Sequence, residues 1–178
     1  MPGRVFLRNR PDAAPGESFE LMCDDGERRE MRWGMIPVGR KNARGRPVME
    51  TIINARSETV FDKTAYSGTR RAVLKVEGWY EWTGEKRHKT RWAITLPGEA
   101  LHFAAIWDIW RSPSGREMAQ FATLTCPPNE DLKDIHHRMP VILQDQADVW
   151  LSGTEEDAAK LLKSFPDGRL KIEKSSLA

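Results

Sequence analysis

The feature that most constrains this chain is a series of short apolar runs, alternating or rich in β-branched and aromatic residues, that recur at close intervals. They cover Ser18 to Cys23, Arg29 to Trp33, Ala72 to Val76, Arg91 to Leu96, His102 to Trp107 and Gln120 to Cys126. A period of two puts alternate side chains on one face, so each run reads as a strand with one side turned to a core. Turn chemistry separates them: Ala14-Pro15-Gly16, Asp24-Asp25-Gly26, Thr83-Gly84-Glu85, Leu96-Pro97-Gly98 and Ser112-Pro113-Ser114-Gly115. Helical signals are fewer. Asn129, after Pro127-Pro128, reads as the N-cap of a short helix over Glu130 to Ile135, with its acids early where the helix dipole favours them and His136 at its end. Further helices are expected from Ser57 to Phe61 and over Asp145 to Leu151 and Glu155 to Lys163, stopping at Pro166-Asp167-Gly168. The sum is an α+β fold of mostly antiparallel strands in a barrel-like curved sheet with a few flanking helices.

The 178 residues suffice for one core, and no repeat or linker divides them, so 1–178 reads as a single domain. No apolar run approaches the roughly 20 residues of a membrane span, and the first ten residues lack the apolar stretch of a signal peptide. A cytoplasmic protein without a membrane partner is therefore expected. Cys23 and Cys126 lie far apart in strand-like contexts with no second cysteine at metal-ligand spacing, and read as buried free thiols. The net charge of +2 is too small to indicate nucleic acid by itself. Its distribution says more. Arg4, Arg8 and Arg10 crowd the start, and Arg40, Lys41, Arg44 and Arg46 fill one glycine-containing segment without an acid between them.

Among candidate chemical groups, Glu81 lies between Tyr80 and Trp82 and follows Gly78-Trp79. Aromatic neighbours that desolvate a carboxylate raise its pKa and make it a proton carrier near neutral pH; the plainer reading is a solvated strand-end glutamate. His136 stands two residues before Arg138, where an imidazole that exchanges protons near pH 7 would sit beside a phosphate-binding guanidinium; a surface histidine at a helix end is the plainer reading. A His136-His137 metal pair is set aside, because adjacent residues on an extended chain point to opposite sides and no further ligand lies nearby. Asn54 and Arg56 are either a turn asparagine and a surface arginine or, if the segment is extended, an amide and a phosphate clamp on one face. Seven tryptophans are present, and most are needed for the core of a β-rich domain. Trp33 and Trp82 are the candidates for stacking on unpaired bases.

Six stretches occur in one order: Met1-Pro2-Gly3-Arg4, Trp33-Gly34-Met35-Ile36-Pro37, Ile53-Asn54-Ala55-Arg56, Gly78-Trp79-Tyr80-Glu81-Trp82, Ala105-Ile106-Trp107 and Ile135-His136-His137-Arg138-Met139-Pro140. Together they resemble the SOS-response-associated peptidase (SRAP) family. The resemblance implies the same barrel-like fold and a DNA-damage protein that binds abasic sites in single-stranded DNA without a metal or cofactor. It places catalytic roles at residue 2, Asn54, Glu81 and His136, and phosphate-binding roles at Arg4, Arg56 and Arg138. In that family the exposed cysteine at residue 2 closes a thiazolidine on the abasic aldehyde, and the same apparatus is proposed to remove the initiator methionine. Here residue 2 is Pro2. Three further departures are a shortened segment before Ala14-Pro15-Gly16, the charged stretch Val38-Gly39-Arg40-Lys41-Asn42 in place of a tryptophan-containing one, and His137 where aspartate is usual. Covalent chemistry altered or lost at Pro2 is the expected consequence. A non-catalytic single-strand binder is the alternative, and a Pro2 amine freed by loss of Met1 would allow iminium chemistry with β-elimination.

Overall fold

The computed structural model describes residues 2–37, 41–46, 50–62 and 66–176. Its first six strands are β1 (Val5–Leu7), β2 (Arg10–Ala13), β3 (Ser18–Cys23), β4 (Arg28–Trp33), β5 (Asn54–Arg56) and β6 (Arg70–Val76). The other six are β7 (Gly78–Thr83), β8 (Thr90–Thr95), β9 (Leu101–Arg111), β10 (Glu117–Cys126), β11 (Met139–Pro140) and β12 (Lys171–Lys174).

The alternating runs become the walls of a closed barrel. Strand β10 pairs with β4, β4 with β3, β3 with β6, β6 with β9, and β9 returns to β10. Every pairing in that ring is antiparallel except β10 with β4. Closure removes exposed sheet edges, and the inward-facing set fills the middle. Phe19 meets Trp33 and Phe121 edge-on at centroid distances of 5.7 and 5.9 Å, and Trp33 and Phe121 lie nearly parallel 6.3 Å apart.

A second, wholly antiparallel sheet runs in the order β12, β8, β7, β1, β2. The chain enters it from the barrel through one residue, Glu77, between β6 and β7. Trp79 packs on Phe103 of the barrel at 5.6 Å, so the pleat sends Trp79 and Glu81 toward the barrel and Tyr80 and Trp82 away from it. Gly78 is required where the β1 side chains cross this sheet: a Cβ there would lie 2.3 Å from Phe6 Cζ and 2.4 Å from the Ile94 oxygen.

Several helical expectations yield to tertiary structure. Residues 130–135 form hydrogen-bonded turns, and Asn129 does not cap them: its Oδ1 accepts no hydrogen bond among the described residues, and its Nδ2 donates to the Phe165 oxygen at 3.0 Å. Ser57–Thr59 is a single 3-10 turn. The tail is two short helices, α1 (Ala147–Ser152) and α2 (Glu155–Ala159), the second closed by a Thr154–Asp157 capping box. Asn54–Arg56, for which the sequence leaves a turn and an extended segment open, is a strand. Both cysteines are free and buried. No helix among the described residues is long and apolar enough to cross a membrane.

Candidate active site

Strand β10 organises one side of the site. Strand β5 runs parallel along one edge of it, with Asn54 beside Thr123 and Arg56 beside Thr125. Strand β11 pairs with Thr125 and Cys126 and continues directly from His136-His137-Arg138. Two segments about 80 residues apart in sequence thus flank one strand. The Thr123 hydroxyl donates to Asn54 Oδ1, which orients the amide so that Nδ2 donates to the carbonyl oxygen of Pro2 at 2.9 Å. Residue 2, itself buried, is held at β5 by this bond.

Glu81 approaches from the other side. In the β1–β7 ladder Phe6 lies opposite Gly78 and Val5 opposite Trp79, and the Tyr80 N–H donates to the Arg4 oxygen at 2.9 Å. Continued by one step, that register sets Glu81 opposite Gly3, next to residue 2. Only 4% exposed, the Glu81 carboxyl is pushed by burial up to about 7, against the opposing pull of the positive amino terminus and the Trp79 indole.

His136 is neutral at physiological pH. Burial, the amino-terminal charge and His137 together hold its imidazole down at about 4. The Arg138 backbone N–H donates to His136 Nδ1 at 3.1 Å, which assigns the ring proton to Nε2. The rings of His136 and His137 stack at 4.4 Å. The segment is therefore turned rather than extended, and the geometric reason given against a histidine pair does not hold. Among the described residues no cluster of three or more metal-ligating side chains exists.

The arginines divide by location. Arg56 is exposed at the end of β5. Arg138 is 6% exposed and not free to clamp a phosphate: both of its terminal nitrogens donate to the Glu58 carboxylate, Nη2 reaches the Thr125 oxygen at 2.6 Å and Nε reaches Thr125 Oγ1 at 3.2 Å. The pair holds Glu58 down at about 2. Arg4 forms a bidentate pair with Asp12 at 2.7 and 2.5 Å, and lies beside Trp82 on the outer face of the second sheet, opposite the face of Glu81. Trp33 is fully buried, with its indole N–H donating to the Ile53 oxygen at 2.9 Å, so it cannot stack on a base; Trp82 is partly exposed. Of the basic segment, Arg40 lies outside the described residues, whereas Arg44 and Arg46 sit on an exposed turn whose backbone N–H groups donate to Asn42 Oδ1.

Sequence reading missed Glu58, Thr123 and Gln120. Glu58 stands two residues past Arg56, but nothing local announces a partner 80 residues away. Gln120, completely buried in β10, accepts from the Ile36 N–H at 2.8 Å and donates to the Ile36 oxygen at 3.0 Å and Asp108 Oδ1 at 2.8 Å. It fixes the exit of the Trp33-to-Pro37 segment.

A closed barrel, a flanking antiparallel sheet, an asparagine hydrogen-bonded to the second residue, and a buried glutamate and a histidine that both feel the amino-terminal charge define the class. The chain belongs to the family described as SOS response associated peptidase (SRAP), whose model matches residues 4–176. It is 30% identical over 155 residues to the abasic site processing protein YoqW of Bacillus subtilis, covering 82% of this chain and 68% of that one. Similarity to the abasic site processing protein HMCES of Gallus gallus is 30% over 190 residues, covering 90% of this chain and 55% of the longer relative. The fold matches a crystal structure of a protein from Bacteroides thetaiotaomicron with a TM-score of 0.81 at 24% identity, over 94% of this chain and 78% of that one.

Proposed function

We propose that this chain binds abasic sites in single-stranded DNA and that Pro2 limits its covalent chemistry to a transient iminium, which allows β-elimination of the strand and gives no permanent cross-link. The observation that carries this reading is the Asn54 to Pro2 hydrogen bond, which fixes residue 2 between β10 and the buried Glu81. The abasic site processing relatives support the substrate. Arg56, exposed where β5 ends, is the phosphate contact on this face.

A ring-opened abasic deoxyribose presents an aldehyde at C1′. With residue 1 removed, the Pro2 secondary amine attacks C1′, forming the N–C bond and leaving a hydroxyl on that carbon. Glu81, titrating near 7, gives the proton with which the hydroxyl departs as water, and an iminium cation remains. The neutral His136 donates from Nε2 to sugar oxygen. The Glu81 carboxylate then takes a proton from C2′, the C2′–C3′ double bond forms as the C3′–O bond breaks and the 3′ strand leaves through its phosphate, and water hydrolyses the iminium to free Pro2. Pro2 has no sulfur, so the iminium cannot close to a thiazolidine.

Burial of Pro2 favours one second reading, a binder without covalent chemistry, because a retained residue 1 leaves the Pro2 nitrogen an amide. Intact-mass measurement with an abasic single-stranded oligonucleotide separates the two. The iminium reading expects an adduct at residue 2 only when borohydride is present. Binding without an adduct under reductant assigns the second reading, and a heat-stable adduct without reductant overturns both.

A further inference from the structure

The pleat that aims Glu81 at the barrel aims the next residues the other way. Trp82 lies directly opposite Arg91 in the β7–β8 ladder, on the outer face of the second sheet. There Arg4, Asp12, Trp82, Lys89, Arg91 and Ser175 line an open cleft of about 460 Å³. Three cations face one carboxylate, and that carboxylate is already paired with Arg4.

The cleft is built rather than incidental. The Arg91 guanidinium lies over Tyr80, 4.5 Å from the ring centroid, and its Nη2 donates to Ser175 Oγ at 3.1 Å. Tyr80 is pinned in turn by its hydroxyl, which donates to the Pro11 oxygen at 2.8 Å. Asp12 fixes Arg4 in the same way, so both guanidiniums are held before any ligand arrives. Lys89, exposed at the rim, contributes a third cation. Trp82 supplies an aromatic face that can reach solvent, 6.3 Å from the Tyr80 centroid.

We propose that this cleft is a second subsite that holds one nucleotide of the bound strand, its base against Trp82 and its phosphate between Lys89 and Arg91. The inference rests on the proposed single-strand reading and extends it: the strand passes the inner site at residue 2 and continues over the edge of the second sheet to the outer face. Every base has a face to stack, so the subsite adds affinity without reading sequence. An aromatic plane flanked by fixed guanidiniums suits a nucleotide, which joins a planar ring and a phosphate in one unit, better than an acidic peptide, whose carboxylates and any ring lie on separate side chains.

The test measures binding of a fluorescein-labelled twelve-residue deoxythymidine oligonucleotide over a salt series, with wild type, Lys89→Glu and Arg56→Ala. Lys89 is exposed, so its replacement does not threaten folding. Lys89→Glu should weaken binding several-fold and flatten the slope of log affinity against log salt by about 0.7, the value for one single-strand phosphate contact. Irradiation of a 5-iododeoxyuridine oligonucleotide should attach label to the peptide containing Trp82. Unchanged affinity and slope in Lys89→Glu, with Arg56→Ala weakened and the label elsewhere, overturns the subsite and leaves the inner site standing. Failure of the wild type to bind this undamaged oligonucleotide overturns the subsite, and the abasic adduct assay then decides the inner site separately. Deoxythymidine monophosphate that binds as tightly as the oligonucleotide overturns the strand as occupant and assigns the cleft to a free nucleotide.

Discussion

The guanidinium of Arg138 meets the carboxylate of Glu58 through two parallel hydrogen bonds, and so ties the segment carrying His136 to the one carrying Asn54 across 80 residues of chain. Arg138 is 6% exposed, and a lone charge there would be costly. Because the Glu58 side chain is about half exposed, water can compensate part of its loss. Glu58→Ala should therefore destabilise by about 2 to 3 kcal/mol, below the upper range for a fully buried pair. Urea unfolding checks this, and adding Arg138→Met should recover part of the loss; a double variant as unstable as the two single losses added would mean that the residues do not act as a pair.

Glu81 and His136 give opposing pH dependences. Folded Glu81 keeps its proton up to about 7, where its ordinary value is 4.5, so its contribution is fully present below 4.5 and is lost as pH rises toward 7. Folded His136 resists protonation down to about 4 against an ordinary 6.5, so its contribution is present above 6.5 and is lost as pH falls toward 4. Between 4.5 and 6.5 the two largely offset. Glu81→Gln should unmask the histidine: its urea midpoint should fall on acidification from pH 6.5 to 5, and at pH 8 it should exceed wild type by on the order of 2 kcal/mol. Midpoints running parallel to wild type at every pH would remove the burial argument for Glu81.

Restoring a thiol tests the rest of the site. Pro2→Cys, with residue 1 removed, should give a cross-link to abasic single-stranded DNA that survives heating without reductant, because the sulfur closes a five-membered ring on the imine. Glu81→Gln in that background should slow adduct formation by about 10²-fold, the low end for loss of a positioned proton carrier. A free amino-terminal cysteine that still forms nothing stable would place the defect in the shortened segment ahead of Ala14-Pro15-Gly16.

Trp33 belongs to the barrel core, between Phe19 and Phe121. Trp33→Leu should cost about 3 kcal/mol or more through the cavity it leaves and the lost indole hydrogen bond to the Ile53 oxygen, with little change in single-strand affinity for the molecules still folded. Thermal unfolding alongside anisotropy titration separates these effects. Lost affinity with unchanged stability would return Trp33 to the DNA interface.

The strands were legible because a two-residue period is a local property. Ser18–Cys23 appears with the same bounds in sequence and structure, and Arg29–Trp33 is extended by one residue. The six ordered motifs also carried the family, since their order does not depend on knowing the contacts. The short helix over 130–135 was wrong because the Asn129 side chain is turned inward, its Nδ2 donating to the Phe165 oxygen 36 residues away, and its Oδ1 accepts from no N–H of the following turn. Which face of a strand a residue occupies depends on what packs against the sheet, so only the Trp79–Phe103 contact separates Glu81, toward the barrel, from Trp82 and Arg4, away from it. Likewise the sequence presents Arg138 as a cation beside a histidine, and only the closure of the chain around β10 brings Glu58 to neutralise it. Composition and periodicity act between near neighbours, whereas burial, pairing and the pKa values they set arise between residues that only the fold makes neighbours.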